Sequence, residues 1–339
     1  MLLARAPQSV GFDWPDGFAR IPDEEWTRRP LEGFGTGYDS IGSHGYYKNL
    51  EPLVAQVSAA ARDGQIVVDY SAGTGLLTGR LLGTVPARIG VVNVDPSAKF
   101  LRVALEKFAS DERVAFRLLE FIRAENRLRT ISEVLGPALL ARKADILVAA
   151  NAIHTYTDLQ GALDSWYPAI RPGGLVLLNS ACVRNPAARA ADWLLDETVE
   201  RVNEVIVDLV LSEPAFARYR QAITGSSWTA HHSARRKVFV PARSLQTYLD
   251  ALATAGFEIL HVTDSTIFVN LNEWCEALSV YHDSVLGWVG GTQKVDGAPP
   301  AAGAVSDRLF LIRYGLEKLF SGTAEFPINW TYVTCRRAR

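Results

Sequence analysis

Cysteine and methionine are scarce in this sequence, which has three cysteines and one methionine among 339 residues. The cysteines, Cys182, Cys275 and Cys335, form no C-x-x-C pair and show no spacing typical of metal ligands. We therefore predict no metal site and no disulfide framework. So few cysteines are typical of a protein in a reducing compartment such as the cytoplasm.

An excess of charge of one sign is absent, and so are long apolar runs. The 35 basic and 37 acidic residues leave a net charge of −2, too small to predict nucleic acid or an anionic membrane as a partner. No apolar run approaches the ~18 residues of a membrane span, and no basic segment followed by an apolar one marks a secretion signal. The composition predicts a globular cytoplasmic protein with a sizeable core, which could act alone or as a homodimer.

A glycine turn after residue 69 is the most informative segment. Residues 66–68 are apolar and lead to Asp69, and Gly73 and Gly75 then open an apolar segment with helical spacing. This order predicts a strand, a tight loop and a helix start. Glycine lets a loop backbone approach a ligand closely, and the free N–H groups of a helix start can bind an anion. A carboxylate directly before the turn favours a ligand that also carries positive charge.

Continuous apolar strands alternate with helical segments around this turn. Strands are predicted near 66–68, 89–94, 114–118, 145–150 and 175–178, with helices near 97–109, 126–141 and 158–170. Such a pattern is typical of a parallel sheet buried on both faces. We expect an α/β fold with a Rossmann-like, doubly wound, mostly parallel sheet, whose ligands bind at the carboxyl ends of the strands.

Two motifs carry a family resemblance. The turn resembles motif I of class I S-adenosylmethionine (SAM) methyltransferases, D/E-x-G-x-G-x-G, with Ser71 at the first glycine position. An NAD-binding turn is the alternative, but its third small residue would fall on Thr78. The second motif, Asn151-Ala152-Ile153-His154-Thr155 followed by Pro172-Gly173-Gly174, resembles the N-x-L-H-A-T … P-G-G-x-L block of small-molecule and polyketide-type C-methyltransferases, with the same spacing.

The resemblance implies which residues hold the cofactor, SAM. Asp95 ends the second predicted strand, 20 residues past Gly75, where a carboxylate can accept bonds from both ribose hydroxyls. Tyr38 lies in an N-terminal segment that closes over the cofactor in related enzymes. Besides Asp95 and Tyr38, the predicted cofactor-binding residues are Asp69, Ser71, Ala72, Gly73, Gly75, Thr78, Glu120, Phe121 and Asn151.

His154 stands where those C-methyltransferases have their catalytic base. Imidazole can take a proton near neutral pH, so the residue type fits the role. The family histidine pairs with a glutamate 26 residues later, and that position here is Ser180. We therefore predict a modest base, suited to the acidic proton of a phenol or an enol. A packing histidine is the alternative.

Two segments interrupt the α/β order and predict a helical cap. Residues 187–211 have the apolar spacing of a long amphipathic helix, and 270–321 contain two more helices around a flexible loop at 297–303. We divide the chain into an N-terminal cap segment (1–62), a SAM-binding core (63–183), a helical insertion (184–235), a core helix and strand (236–269), a lid insertion (270–321) and a final core strand with tail (322–339).

The insertions supply the candidate residues for the methyl acceptor. His231 and His232 lie just before Arg235, Arg236 and Lys237 in the sequence. These side chains could bind an acidic group of the acceptor, since arginine pairs with carboxylate in a bidentate manner. A solvated basic loop is the alternative. The predicted acceptor-binding residues are Trp228, His231, His232, Arg235, Trp274 and Tyr281.

The sequence thus predicts a SAM-dependent methyltransferase that acts on an oxygen or an activated carbon of a small, acidic or phenolic molecule. Two other functions stay open: an NAD-dependent oxidoreductase, and a non-catalytic scaffold of the same fold that binds a partner through the helix at 187–211. An exposed apolar stripe on that helix would favour the scaffold, and a buried one would favour the cap.

Overall fold

The computed structural model describes residues 11–31 and 45–338, and its centre is a seven-stranded sheet. In chain order the strands are β1 (Ile66–Tyr70), β2 (Gly90–Asp95), β3 (Val114–Leu118), β4 (Ala144–Ala150), β5 (Ile170–Ser180), β6 (Phe257–Asn270) and β7 (Glu325–Arg337). Their order across the sheet is β6-β7-β5-β4-β1-β2-β3. In this described sheet, β7 runs opposite to the other six strands, which all point the same way. The predicted mostly parallel, doubly wound sheet is confirmed.

Helices flank the sheet and build the cap. They are α1 (Glu25–Arg28), α2 (Glu51–Ala60), α3 (Leu76–Thr84), α4 (Ala98–Phe108), α5 (Ile131–Arg142), α6 (Leu159–Ala169), α7 (Leu195–Ser212), α8 (Arg220–Thr224), α9 (Ser226–Val238), α10 (Leu245–Thr254), α11 (Leu271–Val280), α12 (His282–Val285), α13 (Gln293–Asp296) and α14 (Ala304–Leu319). Short 3₁₀ helices lie at Gly45–Leu50, Ile153–Thr155 and Pro214–Tyr219. Within the described ranges, no helix combines the length and apolar character that a membrane crossing requires.

Polar caps fix where several helices begin. Five helices are each preceded by a polar residue whose side chain accepts an N–H bond from the first turn of the helix. These residues are Ser97 before α4, Thr130 before α5, Asp158 before α6, Ser244 before α10 and Asn270 before α11. A side chain in this position satisfies backbone donors that have no partner within the helix. These caps therefore fix the first residue of each of these helices.

The strand order reverses on either side of β1. β1 pairs with β2 on one side and with β4 on the other, and both pairs are parallel. A reversal of this kind opens a crevice at the carboxyl ends of the strands involved. The glycine turn after β1 and residues 151–155 after β4 therefore border the same crevice.

The cap, which we define as residues 195–238 and 271–319, packs on the sheet through one continuous apolar core. The stripe of α7 is buried at Val199, Val202 and Ile206. Gly315 of α14 allows close approach of the two helices, because a Cβ there would lie 2.9 Å from a methyl of Val202. Burial of the stripe favours a cap over an exposed scaffold surface.

Several element boundaries differ from the sequence prediction. α7 begins at Leu195 instead of 187, and residues 121–128 form a two-stranded hairpin before α5. The pattern at 257–262 predicts a strand there, and β6 continues beyond it to Asn270, since polar side chains are tolerated on this edge strand and conceal its length in the sequence. The expectation of a basic loop around Arg235 is wrong: the segment is helix α9, and His231 and Arg235 are buried in it.

Residues 11–31 of the N-terminal segment lie near β2, β3 and α4. Phe12 packs over Gly90, and the indole N–H of Trp14 donates to the carbonyl of Glu112 at 2.8 Å. Trp26 is buried in a cluster that includes Phe116 of β3. Tyr38, predicted to close over the cofactor, lies outside the described residues.

Candidate functional site

A cavity of about 280 Å³ opens in the crevice between the ends of β1 and β4, and we call it the glycine-turn cavity. Segments that are far apart in sequence form its walls, including the turn after β1, the end of β2 and the start of α4. Its walls include the predicted residues Asp69, Ser71, Ala72, Gly73, Asp95 and Asn151, together with Tyr47, Asn49, Thr74, Phe100 and Thr155.

Two wall residues have left-handed backbones although neither is glycine. Ser71 has φ 63° and Asn151 has φ 49°, a region in which side chains other than glycine are disfavoured. Ser71 Oγ is 2.9 Å from the Tyr156 hydroxyl, and the Asn151 N–H donates to Asn179 Oδ1 at 2.8 Å. Such conformations gather at ligand sites, where surrounding bonds hold them. The φ of Ser71 also explains why a glycine is usual in this motif position.

Gly73 and Asp95 form the part of the wall best suited to a ligand. Gly73 has φ 57°, and a Cβ at this position would meet no atom within 4 Å, so its backbone faces open space. Its N–H donates to Asp95 Oδ2 at 2.8 Å, and the Ser97 N–H donates to Asp95 Oδ1 at 2.7 Å. Each carboxylate oxygen can accept a further bond. Burial raises the pKa of Asp95 to about 6.

Asp69 places a second carboxylate in the same cavity. Thr78 Oγ1 donates to it at 2.8 Å. Burial, with a smaller contribution from Asp95, raises the pKa of Asp69 to about 7. Thr78 lies behind the cavity wall and holds Asp69 through this hydrogen bond. Gly75 directly precedes α3, and a Cβ at Gly75 would lie 2.7 Å from the Phe108 ring. Neither of these two predicted residues belongs to the cavity wall.

The aromatic wall comes from a residue that the sequence prediction missed. Glu120 lies 3.5 Å from Arg129, and Phe121 is 50% exposed on the hairpin after β3. Neither lines the cavity, whereas Phe100 of α4 does. The feature of the sequence that could have indicated Phe100 is Ser97. A helix cap at Ser97 places Phe100 in the first turn of α4, which faces the crevice.

The polar and aromatic groups of the cavity wall fit SAM. The carboxylates suit ribose hydroxyls and a positively charged amino end, and Phe100 offers an apolar face for adenine. The buried Thr74 Oγ1 and Asn49 Oδ1 have no hydrogen-bond partner within the described protein, so polar atoms remain for a bound ligand. The open space beside Gly73 allows close approach of its backbone.

Residues 68–176 match the family model described as a methyltransferase domain. This segment is a class I methyltransferase domain. Within it lie the glycine turn, Asp95 and Asn151, and SAM is the cofactor of such a domain. The predicted enzyme class, a SAM-dependent methyltransferase, is confirmed.

Two curated proteins with similar sequences are named methyltransferases as well. The chain is 29% identical over 188 residues to the ubiquinone/menaquinone biosynthesis C-methyltransferase UbiE of Methylococcus capsulatus, covering 52% of this chain and 69% of that protein. The same enzyme of Coxiella burnetii is 25% identical, covering 48% of this chain and 63% of that one. The chain thus spans about two thirds of the length of these relatives. The hybrid PKS-NRPS synthetase apdA of Emericella nidulans is 25% identical over 160 residues, which are 47% of this chain and 4% of the synthetase.

The fold of the chain is also found among solved structures. The YcgJ protein from Bacillus subtilis superposes with a TM-score of 0.50 at 15% identity, covering 86% of this chain and 99% of that one. At this identity the likeness concerns the fold alone.

His154 lies on the far side of the 151–155 segment from the glycine-turn cavity. Its neighbours Ala152 and Thr155 line that cavity, but His154 is buried and points elsewhere. Its Nδ1 is 2.9 Å from Ser180 Oγ, and its Nε2 is 3.7 Å from Asp196 Oδ2 at the start of α7. The sequence indicated that His154 lacks a partner carboxylate. The structure corrects this, since the cap places one near it.

Burial disfavours charge on both members of this pair. It lowers the pKa of His154 to about 4, with a smaller contribution from the positive charge of Arg243. Burial raises the pKa of Asp196 to about 7. Burial therefore favours the neutral form of His154 near neutral pH, and its role as a base stays a prediction.

Most predicted acceptor residues lie inside the cap. Arg235 donates to Glu200 at 2.9 Å and to Asn203 at 3.1 Å, and Trp274 donates to Thr198 at 2.9 Å. Trp228 packs edge-on against Trp288, and His231 is 2.9 Å from Asp296, while Tyr281 packs near Phe239. Large aromatic rings and a paired arginine fill the cap interior because they bury area while their polar atoms find partners.

A second cavity, of about 630 Å³, lies beside α7 and α9, and we call it the cap cavity. Of the predicted acceptor residues only His232 belongs to its wall. Asp196 also lines it, so the carboxylate near His154 faces this space. The remaining wall combines apolar and charged side chains: Trp193, Phe239, Val240, Pro241, Arg184, Glu197, Glu200, Arg201, Glu204 and Arg236.

Proposed function

We propose that the chain methylates a small organic molecule at an activated carbon, with the acceptor entering through the cap cavity. The observation that carries this proposal is the contact between the cap and His154, made by Asp196 of α7. A cavity of about 630 Å³ next to this contact is of the size that small-molecule sites have. The near-neutral charge of the chain supports a small acceptor over nucleic acid.

Carbon is favoured over oxygen by two resemblances. The relatives from Methylococcus and Coxiella are named C-methyltransferases, and the 151–155 segment resembles a C-methyltransferase block. A neutral imidazole of low basicity suits an acceptor proton that is already acidic, whether on a carbon between two carbonyls or on a phenol, so it does not choose between carbon and oxygen. An acidic or phenolic hydroxyl is the second candidate acceptor.

The protein contributes mainly by positioning the two reactants. SAM supplies an electrophilic methyl group when bound. Asp95 and the Gly73 backbone orient the nucleoside part, and Asp69 attracts the positively charged part. A displacement needs the acceptor in line with the methyl group, so holding both partners in place accounts for much of the rate.

His154 stays the predicted base for the acceptor proton. Nδ1 is engaged with Ser180, so Nε2 is the nitrogen available to an acceptor. Nε2 faces Asp196, which lines the cap cavity, and an acceptor would therefore approach His154 from that side. Removing a general base typically costs 10²–10⁴-fold in rate.

A screen with methyl-labelled SAM tests the proposal. Phenols, hydroquinones and 1,3-dicarbonyl compounds should accept label, and mass spectrometry should place the new methyl group on carbon. At a SAM concentration near the wild-type dissociation constant, an Asp95→Ala variant should transfer much less label than the wild type. Label found only in protein or nucleic acid, or on oxygen in every product, would contradict the proposal.

His154 variants then test the base. In a domain that still binds SAM, His154→Ala should lower turnover by about 10²-fold or more, while His154→Gln keeps part of the activity if the ring only orients the acceptor. His261, an exposed histidine on β6, provides the control, and His261→Ala should leave turnover unchanged. A turnover of His154→Ala within threefold of wild type would return this histidine to a packing role.

A further inference from the structure

Three side chains with metal-binding atoms meet where the methyltransferase domain joins the cap. They are His154 after β4, Cys182 after β5 and Asp196 at the start of α7, and their ligand atoms all lie within 4.8 Å of one another. His154 and Cys182 are buried, and Asp196 Oδ2 is buried with no hydrogen-bond partner among the described residues. The three residues are 28 and 14 positions apart, so no spacing in the sequence reveals them.

The surroundings hold the histidine as a metal ligand would be held. Ser180 Oγ accepts the Cys182 N–H at 3.0 Å and lies 2.9 Å from His154 Nδ1. With the ring proton on Nδ1 and donated to Ser180, the lone pair of Nε2 points toward Asp196. A bond from the second ring nitrogen of this kind is the usual support of a metal-bound histidine.

The gap between His154 and Asp196 has the size of a metal site. Nε2 and Oδ2 are 3.7 Å apart, too far for a hydrogen bond. Two ligand atoms that share a tetrahedral zinc ion, each about 2.0–2.1 Å from it, are about 3.3 Å apart. A small inward movement of either side chain would bring both atoms to that distance.

The thiol is placed to complete the set. The Asp196 backbone N–H donates to Cys182 Sγ at 3.4 Å, and such a donor stabilises the thiolate that a metal requires. One thiolate and one carboxylate together balance the charge of a divalent ion, so the buried site would carry no net charge. This meets the condition for burying charge in a protein interior.

We propose that His154, Cys182 and Asp196 bind a divalent transition-metal ion, with zinc as the best match. A nitrogen, a sulfur and an oxygen ligand suit zinc, and three protein ligands leave a fourth position open. Asp196 lines the cap cavity, so that position faces the space proposed for the acceptor. The fourth ligand would be water or an ionisable oxygen of the acceptor, such as that of a phenol or an enol.

This site changes the role of His154 and deepens the proposed function. With Nε2 on the metal, the imidazole is a ligand, and the acceptor hydroxyl loses its proton to solvent as its oxygen binds the ion. The acceptor role rests on the proposed function, but metal binding does not. The two can fail separately, because a base requires His154 and has no need of Cys182.

Metal content of the full chain tests the proposal without any acceptor. Purified protein is stripped with a chelator, loaded with zinc or cobalt, dialysed and measured by mass spectrometry of the metal. We expect one ion per chain in the wild type. Cobalt should also give a thiolate-to-metal absorption band in the near ultraviolet, since the set contains sulfur.

Variants assign the ion to the cluster. Cys182→Ser and Asp196→Asn should weaken metal binding by about tenfold or more and abolish the thiolate band in the cysteine variant. Cys275→Ser is the matched control, because Cys275 is a buried cysteine of α11 outside the cluster. A thermal shift with S-adenosylhomocysteine shows that each variant is folded. Absence of stoichiometric metal in the wild type, or equal loss in Cys275→Ser, would overturn the proposal.

Discussion

Asp95 accepts the backbone N–H of Gly73 at 2.8 Å, so the end of β2 fixes the turn that follows β1. The other carboxylate oxygen holds the Ser97 N–H at the start of α4. One side chain thus ties together three segments that border the glycine-turn cavity. It also keeps acceptor capacity for the ribose hydroxyls of SAM.

Replacing Asp95 should weaken cofactor binding strongly. Asp95→Ala removes acceptors for the ligand and for two backbone N–H groups, and each unpaired buried group costs roughly 1–3 kcal/mol. Calorimetric titration should show SAM affinity reduced at least tenfold. Asp111→Ala, which removes a partly exposed carboxylate paired with Arg113, is the control and should bind as the wild type does. Unchanged affinity in Asp95→Ala would refute this placement.

Phe100 and Phe121 distinguish the structure from the sequence prediction. Phe100 lines the cavity, and Phe121 lies half exposed outside its wall. Since an aromatic ring stacked on a base is worth about 1–3 kcal/mol, Phe100→Ala should weaken SAM binding about tenfold. Phe121→Ala should stay within threefold of wild type. The reverse order of the two dissociation constants would show that the hairpin after β3 holds the adenine.

Cofactor affinity should rise with pH through the titration of Asp69. Burial raises the pKa of this carboxyl to about 7, and its ionised form attracts the positively charged part of SAM. Binding should therefore tighten between pH 6 and pH 8, and Asp69→Asn should flatten that rise. Titrations across this range check it, and an unchanged slope in the variant would assign the pH dependence to another group.

The same carboxyl predicts how stability without cofactor varies with pH. The folded pKa lies above the ordinary value, so the folded state holds the proton more tightly than the unfolded state. Its contribution is present in full below pH ~4 and is lost as pH rises through about 7. Asp69→Asn does not titrate. The melting temperature of Asp69→Asn should therefore rise relative to that of the wild type between pH 5 and pH 8. Thermal scans measure this difference, and a difference in melting temperature that does not change with pH would argue against the raised pKa.

Gly315 should be required for close packing of α14 on α7. A Cβ there would lie 2.9 Å from Val202, and overpacking of this kind typically costs about 1–3 kcal/mol. Gly315→Ala should lower the melting temperature despite the better helix propensity of alanine. Gly83→Ala is the matched control, since an exposed helical glycine with no atom within 4 Å of its Cβ should gain stability. Equal effects of both changes would argue against tight packing.

Regular features of the fold could be read from local patterns. The strands from β1 to β5 are apolar runs, and the glycines and polar caps mark the turns between them. The lengths of β6 and β7 were not accessible in the same way. These strands pair with each other over almost their full length, and that pairing overrides the polar residues in them.

The candidate site could be predicted where it depends on segments that directly follow a strand. Asp69, Gly73, Asp95 and Asn151 all line the cavity because the carboxyl ends of neighbouring strands meet there. The position of Asp196 could not be predicted, since a cap helix brings it to His154 from 42 residues further along the chain. Only tertiary packing sets contacts of this kind.

A crystal structure of the full chain with S-adenosylhomocysteine is the decisive experiment for the cofactor site. We expect the ligand in the glycine-turn cavity, with its ribose hydroxyls on Asp95 and its adenine against Phe100. A ligand bound elsewhere, or no bound ligand at a saturating concentration, would contradict the assignment of this cavity to the cofactor.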